Sequence, residues 1–137
     1  MDEVSAAGAE AVAVYFLQLY PYVYATNDLT EWRALSHPEC IFCASVITNV
    51  EEQVAAGHHN DGSLIAFSTI SASELDPGVR YAAQARITEG PSTELDATGA
   101  VVDQRPDAQD LDVTFAIVFD GTWLIREVDV TVLQSAS

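Results

Sequence analysis

Apolar residues along this chain change their period once, near residue 62, and that change divides the molecule. Before it, Val12, Tyr15, Phe16, Leu19 and Val23 recur at three- and four-residue steps, so Ala9 to Ala25 reads as an amphipathic helix. Pro21 falls inside that pattern and should kink the last turn, and Asn27 suits the left-handed position that closes a helix. Asp28-Leu29-Thr30-Glu31 predicts a capping box for a short second helix through Trp32 and Leu35, in which Asp28 accepts from the Glu31 amide. Ser36-His37-Pro38 stops that helix. A third follows, with Cys43, Val46, Ile47, Val50 and Val54 on one side and Gly57 at its end. His58-His59-Asn60-Asp61-Gly62 reads as a turn.

Beyond Gly62 the period becomes two. Leu64 to Ser71 predicts a strand whose inward face is ambiguous. Val79, Tyr81, Ala83, Ala85 and Ile87 alternate with Arg80, Gln84, Arg86 and Thr88, the pattern of a half-buried strand. Thr93 to Val102 predicts a short strand near a Thr98-Gly99 turn, and Gln104 to Asp110 a loop. Leu111, Val113, Phe115, Ile117 and Phe119 alternate cleanly. Asp120-Gly121 then turns the chain into Thr122 to Leu133 as a hairpin. Helices first and closely linked strands after predict an α+β domain: three N-terminal helices on a curved, mainly antiparallel sheet of about five strands. Residues 9–133 form that single domain, with 1–8 a flexible leader and 134–137 a tail. Such a cone leaves a concavity between the first helix and the sheet.

Composition narrows the partners. With 21 Asp and Glu against five Arg and no Lys, the net charge is -16, so phosphate backbones and anionic lipid are repelled and nucleic-acid binding is excluded. No apolar run approaches the roughly 18 residues of a membrane span. No signal peptide is evident, because Met1-Asp2-Glu3 is acidic where a signal is basic.

The two cysteines, Cys40 and Cys43, carry three readings: a small disulfide, a redox couple at a helix N-terminus, or half a metal site completed by His37 and by His58 or His59. A redox couple usually follows a strand, whereas this pair follows a helix. Four tetrahedral zinc ligands are not offered by one half-site and scattered histidines. Neither a Ser–His–Asp order nor a Gly-rich phosphate loop is present. The inward positions of the two clean strands are apolar apart from Tyr81, while Asp112, Glu127 and Asp129 fall mostly on the other face and Arg126 is placed to pair across the sheet. No catalytic residue, cofactor or metal is therefore assigned. Tyr15, Tyr20, Tyr22, Tyr24 and Trp32 can either fill the core or line the mouth of the concavity, and aromatics at helical spacing favour the core.

The helix-then-strand order, closed by Phe119-Asp120-Gly121-Thr122-Trp123-Leu124-Ile125, resembles the nuclear transport factor 2-like, or SnoaL-like, cone fold. Tyr22-Val23-Tyr24-Ala25-Thr26-Asn27-Asp28, Leu35-Ser36 and Cys40-Ile41-Phe42-Cys43 resemble an uncharacterised family of actinobacterial secreted lipoproteins. That resemblance implies a cone domain outside the cytoplasm, tethered by a lipidated cysteine upstream, and no established activity. In such an oxidising compartment Cys40 and Cys43 are expected to be bridged. The resulting expectation is a non-catalytic extracytoplasmic domain that binds an apolar small molecule or a partner protein, with Tyr15, Leu19, Trp32, Tyr81, Phe115 and Ile117 lining the site and the sheet face available for a homodimer. The rival is an enzyme of the ketosteroid-isomerase or polyketide-cyclase kind.

Overall fold

In the computed structural model, which describes residues 3–136, the helices are α1 (Ala6–Thr26), α2 (Thr30–Leu35) and α3 (Ile41–Ala56). The strands are β1 (His59–Gly62), β2 (Ile65–Asp76), β3 (Arg80–Glu89), β4 (Ser92–Leu95), β5 (Val101–Arg105), β6 (Ala108–Phe119) and β7 (Trp123–Ala136). They form two antiparallel sheets, a large one in the order β2-β3-β6-β7 and a small one in the order β1-β4-β5. The α+β cone expected from sequence is the fold, with seven strands instead of about five. The additional strands come from segments expected to be turn and loop: His59–Gly62 pairs with Ser92–Leu95, and the loop expected at Gln104–Asp110 shrinks to Pro106 and Asp107.

α1 starts earlier than its apolar spacing predicts. Ser5 caps it by accepting from the Gly8 amide at 3.1 Å, and Gly8 is buried, leaving Met1 and Asp2 of the expected leader outside the described residues. A side chain at Gly8 would meet the Glu3 carbonyl oxygen at 1.7 Å, so glycine is required by space there. At the other end, Asn27 closes the helix in the left-handed conformation, φ 61°. The capping box is corrected: Asp28 Oδ1 accepts from the Thr30 amide at 3.1 Å, a turn before α2, and the Glu31 amide is not its partner. Of the residues expected on the inner side of α3, Cys43, Val46 and Val50 are buried, but Val54 is 57% exposed and Gln53 takes the inward place. Of the expected C-terminal tail, β7 carries the backbone to Ala136, and Ser137 lies outside the described residues.

Bulges explain the strand whose face could not be read. β2 turns Ile65 and Phe67 inward opposite Glu89 and Ile87, slips one residue between Phe67 and Thr69, and then turns Ile70 and Ala72 inward opposite Ala85 and Ala83. β7 repeats the device. Trp123 and Ile125 face inward, a bulge absorbs Arg126, and Val128, Val130 and Val132 continue opposite Phe115, Val113 and Leu111. Arg126 consequently leaves the sheet and meets Glu39 at 3.0 Å instead of pairing across it. Val79, expected inward, lies ahead of β3 and is 46% exposed.

Candidate functional site

α1 runs along the concave face of the large sheet, so its N-terminal half meets the closed end near the β6–β7 hairpin and its C-terminal half meets the open end. The closed end is solid. Phe16 stacks on Trp32 with ring centroids 3.9 Å apart and meets Phe115 edge-on at 6.4 Å, while Tyr81 and Phe119 pack on Trp123. Trp32 is buried, and its indole N–H donates to the Cys43 carbonyl at 3.1 Å.

Cys40 and Cys43 are joined in a disulfide with Cα atoms 5.2 Å apart, and both are buried. Cys40 is the N-cap of α3, its sulfur accepting from the Cys43 amide at 3.2 Å. The bridge thus fixes the first turn of α3 beside Ile125, where the His37 amide donates to the Ile125 carbonyl. His37 accepts the Glu39 amide through Nδ1 at 3.0 Å, ahead of α3. His58 and His59 are half-buried. Among the described residues no group of three or more His, Cys, Asp or Glu is placed to hold a metal ion.

The sequence-derived ligand residues belong mainly to the solid end. Leu19, Trp32, Tyr81, Phe115 and Ile117 are all buried, and the Tyr81 hydroxyl donates to Glu74 at 3.1 Å. Tyr15 is half-buried near Glu31, whose carboxylate raises the phenol pKa. The structure brings Trp32 and Phe115 together around Phe16, and none of the six lines the cleft and chambers described next.

These lie at the mouth. A narrow apolar cleft of about 110 Å³ is walled by Leu17 and Tyr20 of α1, Phe42 of α3, Ile65 of β2, Ile87 of β3, Leu111 and Val113 of β6, and Val130 of β7, with Glu89 at its edge. Tyr20 and Glu89 are shared with a polar chamber of about 320 Å³ that adds Arg105, Ser92, Asn60 and Gln109. Tyr24 and Asn60 are shared in turn with a third chamber of about 300 Å³ toward His58, Glu94 and Glu52. The three adjoin through these shared walls, the cleft apolar and the two chambers polar.

Glu89 is the residue that sequence reading missed. The inward alternation of β3 runs Tyr81, Ala83, Ala85, Ile87, and one step further places Glu89 on the same face, where its side chain is only 10% exposed. The signal was present, but an apolar pattern stops being counted at the first charge. Arg105 Nη1 donates to Glu89 Oε1 at 3.2 Å and to Gln109 at 3.0 Å, while Nη2 donates to Ser63 and to the Gly90 carbonyl. Arg105 thereby holds the small sheet to both strand crossings, Gly62–Ile65 and Glu89–Ser92. Among the described residues it is the sole partner of the Glu89 carboxylate.

Burial, with Tyr24 and the Glu89 carboxylate adding to it, pushes the Tyr20 phenol far above its ordinary pKa, and burial also raises Tyr24. Both are neutral hydrogen-bonding groups at physiological pH. Tyr20 and Tyr24 meet at 5.1 Å with rings tilted 58°. Behind them the buried Gln53 amide donates to Asn27 Oδ1 at 2.9 Å and to the Tyr24 carbonyl at 3.2 Å, and its oxygen accepts from Asn60. His58 Nδ1 lies 2.8 Å from Glu94.

The three-helix α+β fold is shared with several solved proteins. The chain aligns with the intermembrane-space region of the chloroplast protein ARC6 at TM-score 0.70, 14% identity and coverage of 96% of this chain and 98% of that one. An uncharacterised Caulobacter vibrioides protein with a cystatin-like fold gives TM-score 0.53 at 16% identity over 93% and 92% of the two chains. A protein from Catenulispora acidiphila gives 0.50 at 12% identity over 91% and 94%. These likenesses concern fold alone. In sequence, residues 1–129 match the model of DUF6318, a family of unknown function, and the chain belongs to that family. No protein of curated function matches it.

Proposed function

We propose that this is an extracytoplasmic binding domain, tethered by a lipidated cysteine upstream, whose mouth takes a small molecule with an apolar body. The observation that carries the binding reading is that an apolar cleft and a polar chamber lie side by side and share Tyr20 and Glu89 as walls. Ligand sites are concave, largely apolar and equipped with a few convergent polar groups. The disulfide supports the compartment, since such bonds persist where the surroundings are oxidising. The anchor rests on the resemblance of Tyr22–Asp28 and the Cys-x-x-Cys segment to secreted lipoproteins, and among the described residues no helix is long and apolar enough to cross a membrane.

Glu89 also favours a second reading. The expectation that ionisable groups stay off the inner face fails there, and a carboxylate beside a protonated phenol is the kind of pair that moves protons in acid–base enzymes. Binding is preferred because the Glu89 carboxylate is engaged by Arg105. A thermal-shift screen of apolar metabolites, followed by turnover assays on the hits, separates the readings. Stabilisation that is lost in Leu111→Trp, with no product formed, is expected. The absence of any stabilising compound would overturn the binding reading. Turnover abolished by Glu89→Gln would establish the enzyme instead.

A further inference from the structure

We infer that the ligand of the mouth is an amphipathic cation, an apolar stem carrying a single ammonium group that sits against Glu89 between Tyr20 and Tyr24. The inference rests on the binding reading above and deepens it by assigning the headgroup.

It follows from which polar groups at the mouth still have capacity. Arg105 is the fixed cation of the polar chamber, and both of its terminal nitrogens are consumed by Glu89, Gln109, Ser63 and the Gly90 carbonyl. An incoming carboxylate or phosphate would have to break that clasp or be content with the guanidinium Nε–H. Glu89 is different. One carboxylate oxygen takes Arg105, no hydrogen bond reaches the other among the described residues, and the side chain is nine-tenths buried at the border of apolar cleft and polar chamber. A carboxylate accepts about four hydrogen bonds, so acceptor capacity is left where donor capacity is exhausted.

The surroundings agree in sign. Glu52 and Glu94 add carboxylates along the outer chamber, against which His58 is the one further basic group and already lies on Glu94. The tilted rings of Tyr20 and Tyr24 form an aromatic corner beside Glu89, and the faces of neutral phenols attract a cation. Beyond the corner the walls are Leu17, Phe42, Ile87, Leu111 and Val130, which accept an apolar stem and offer nothing polar to a second head.

The test compares hexylammonium, hexanol and hexanoate, which share a stem and differ in head, by amide-shift NMR titration of the isotopically labelled protein with its disulfide intact. Hexylammonium is expected to bind about tenfold more tightly than hexanol, as charge-assisted hydrogen bonds exceed neutral ones, and hexanoate more weakly than either, with shifts centred on Tyr20, Glu89 and Leu111. Ethylammonium, which carries the charge without the stem, should fail to saturate; saturation equal to that of hexylammonium would mean attraction to the acidic surface only and would overturn the inference. Hexanol binding as tightly as hexylammonium, or hexanoate binding best, would overturn the headgroup while leaving the binding reading intact. No shift at the mouth with any six-carbon compound would remove both. Glu89→Gln should abolish the preference for ammonium over alcohol while hexanol still binds. The wild-type comparison decides the matter even if that variant does not fold.

Discussion

The two ends of the cone are built on the same strands yet solve opposite problems. Toward the hairpin, β3, β6 and β7 turn Tyr81, Phe115, Ile117, Trp123 and Ile125 into the same core as Phe16 and Trp32, and every one is buried. Toward the mouth the same three strands offer Ile87 and Glu89, Leu111 and Val113, then Val130, which is 42% exposed. Large rings fill the narrow end. Smaller aliphatics and one carboxylate line the wide end, where Arg105 satisfies the charge and open volume remains. Stability is concentrated where volume is filled, and recognition where it is left, because a cavity forfeits the contacts that packing supplies. A substitution at one end should therefore read out differently from one at the other.

The sharpest contrast comes from Trp32. Trp32→Ala removes a stacked ring from Phe16 and a hydrogen bond from the Cys43 carbonyl, and should cost about 3–5 kcal/mol in denaturant unfolding. Val130→Ala at the mouth should cost about 1 kcal/mol or less, since that side chain is already partly in water. Equal losses at the two sites would break the comparison, and a loss below about 1 kcal/mol for Trp32 would remove it from the core.

Next in size is the disulfide, which belongs to the closed end through its contact with Trp32 and Ile125. Intact-mass analysis without reductant should find no alkylatable thiol. The bridge closes a very short loop, so replacing Cys40 and Cys43 together by Ser should cost about 2 kcal/mol. Ligand response at the mouth should survive. Two alkylated cysteines in the unreduced protein would remove the bridge and, with it, the support it lends to an oxidising compartment.

Much of the closed end was legible in the chain and much of the mouth was not, for physical reasons. Regular alternation in Tyr81–Ile87 and Leu111–Phe119, together with the Asp120-Gly121 turn, identified the strands that carry the solid core. The phase of β2 was unreadable because its bulge shifts the inward set by one residue between Phe67 and Thr69. His59–Gly62 carries turn-forming residues throughout and becomes a strand only because Ser92–Leu95 arrives to pair with it from thirty residues away, a contact no local pattern encodes. The cleft itself is assembled from α1, α3 and all four strands of the large sheet. Its aromatic members, Tyr20 and Tyr24, were among those that could serve either core or mouth, and only the helix's direction along the sheet decides between them.

Alkali should separate the ends by another route. The Tyr20 phenol is raised above its ordinary value of 10.0 by burial first, and then by Tyr24 and Glu89. A raised folded-state pKa contributes stability that is fully present below the unfolded value and is lost as pH rises toward the folded one. Stability should therefore fall above about pH 10, and Tyr20→Phe should reduce the part of that fall owed to this ring. Ultraviolet titration of the folded protein should show Tyr20 ionising late. Ionisation of Tyr20 at an ordinary pH would place it in solvent and open the mouth wider than the geometry allows.

The smallest effect lies at the outer rim, in the turn between β4 and β5. Asp96 Oδ1 accepts from the Thr98 amide at 2.8 Å, from the Thr98 hydroxyl at 2.6 Å and from the Ala100 amide at 3.0 Å. These bonds favour the charged form and hold its pKa below the ordinary 3.8, the Thr98 side chain and amide contributing most. The sign is the reverse of the tyrosine's: a depressed pKa supplies support present above the unfolded value and lost as pH falls through the folded one. Asp96 is half-buried and its bonds stay within one turn at the rim, so global stability should barely change. Amide exchange at Thr98 and Ala100 should nevertheless quicken relative to intrinsic rates on acidification below about pH 4, and Asp96→Ala should produce the same loosening at neutral pH. Because β4 carries Ser92 and Glu94 on the wall of the outer chambers, that loosening should reach their amides too and leave those of Phe115 and Ile117 at the closed end untouched. If exchange quickened equally at both ends, the small sheet would be no separate unit, and the division between a solid end and an adjustable one would not hold.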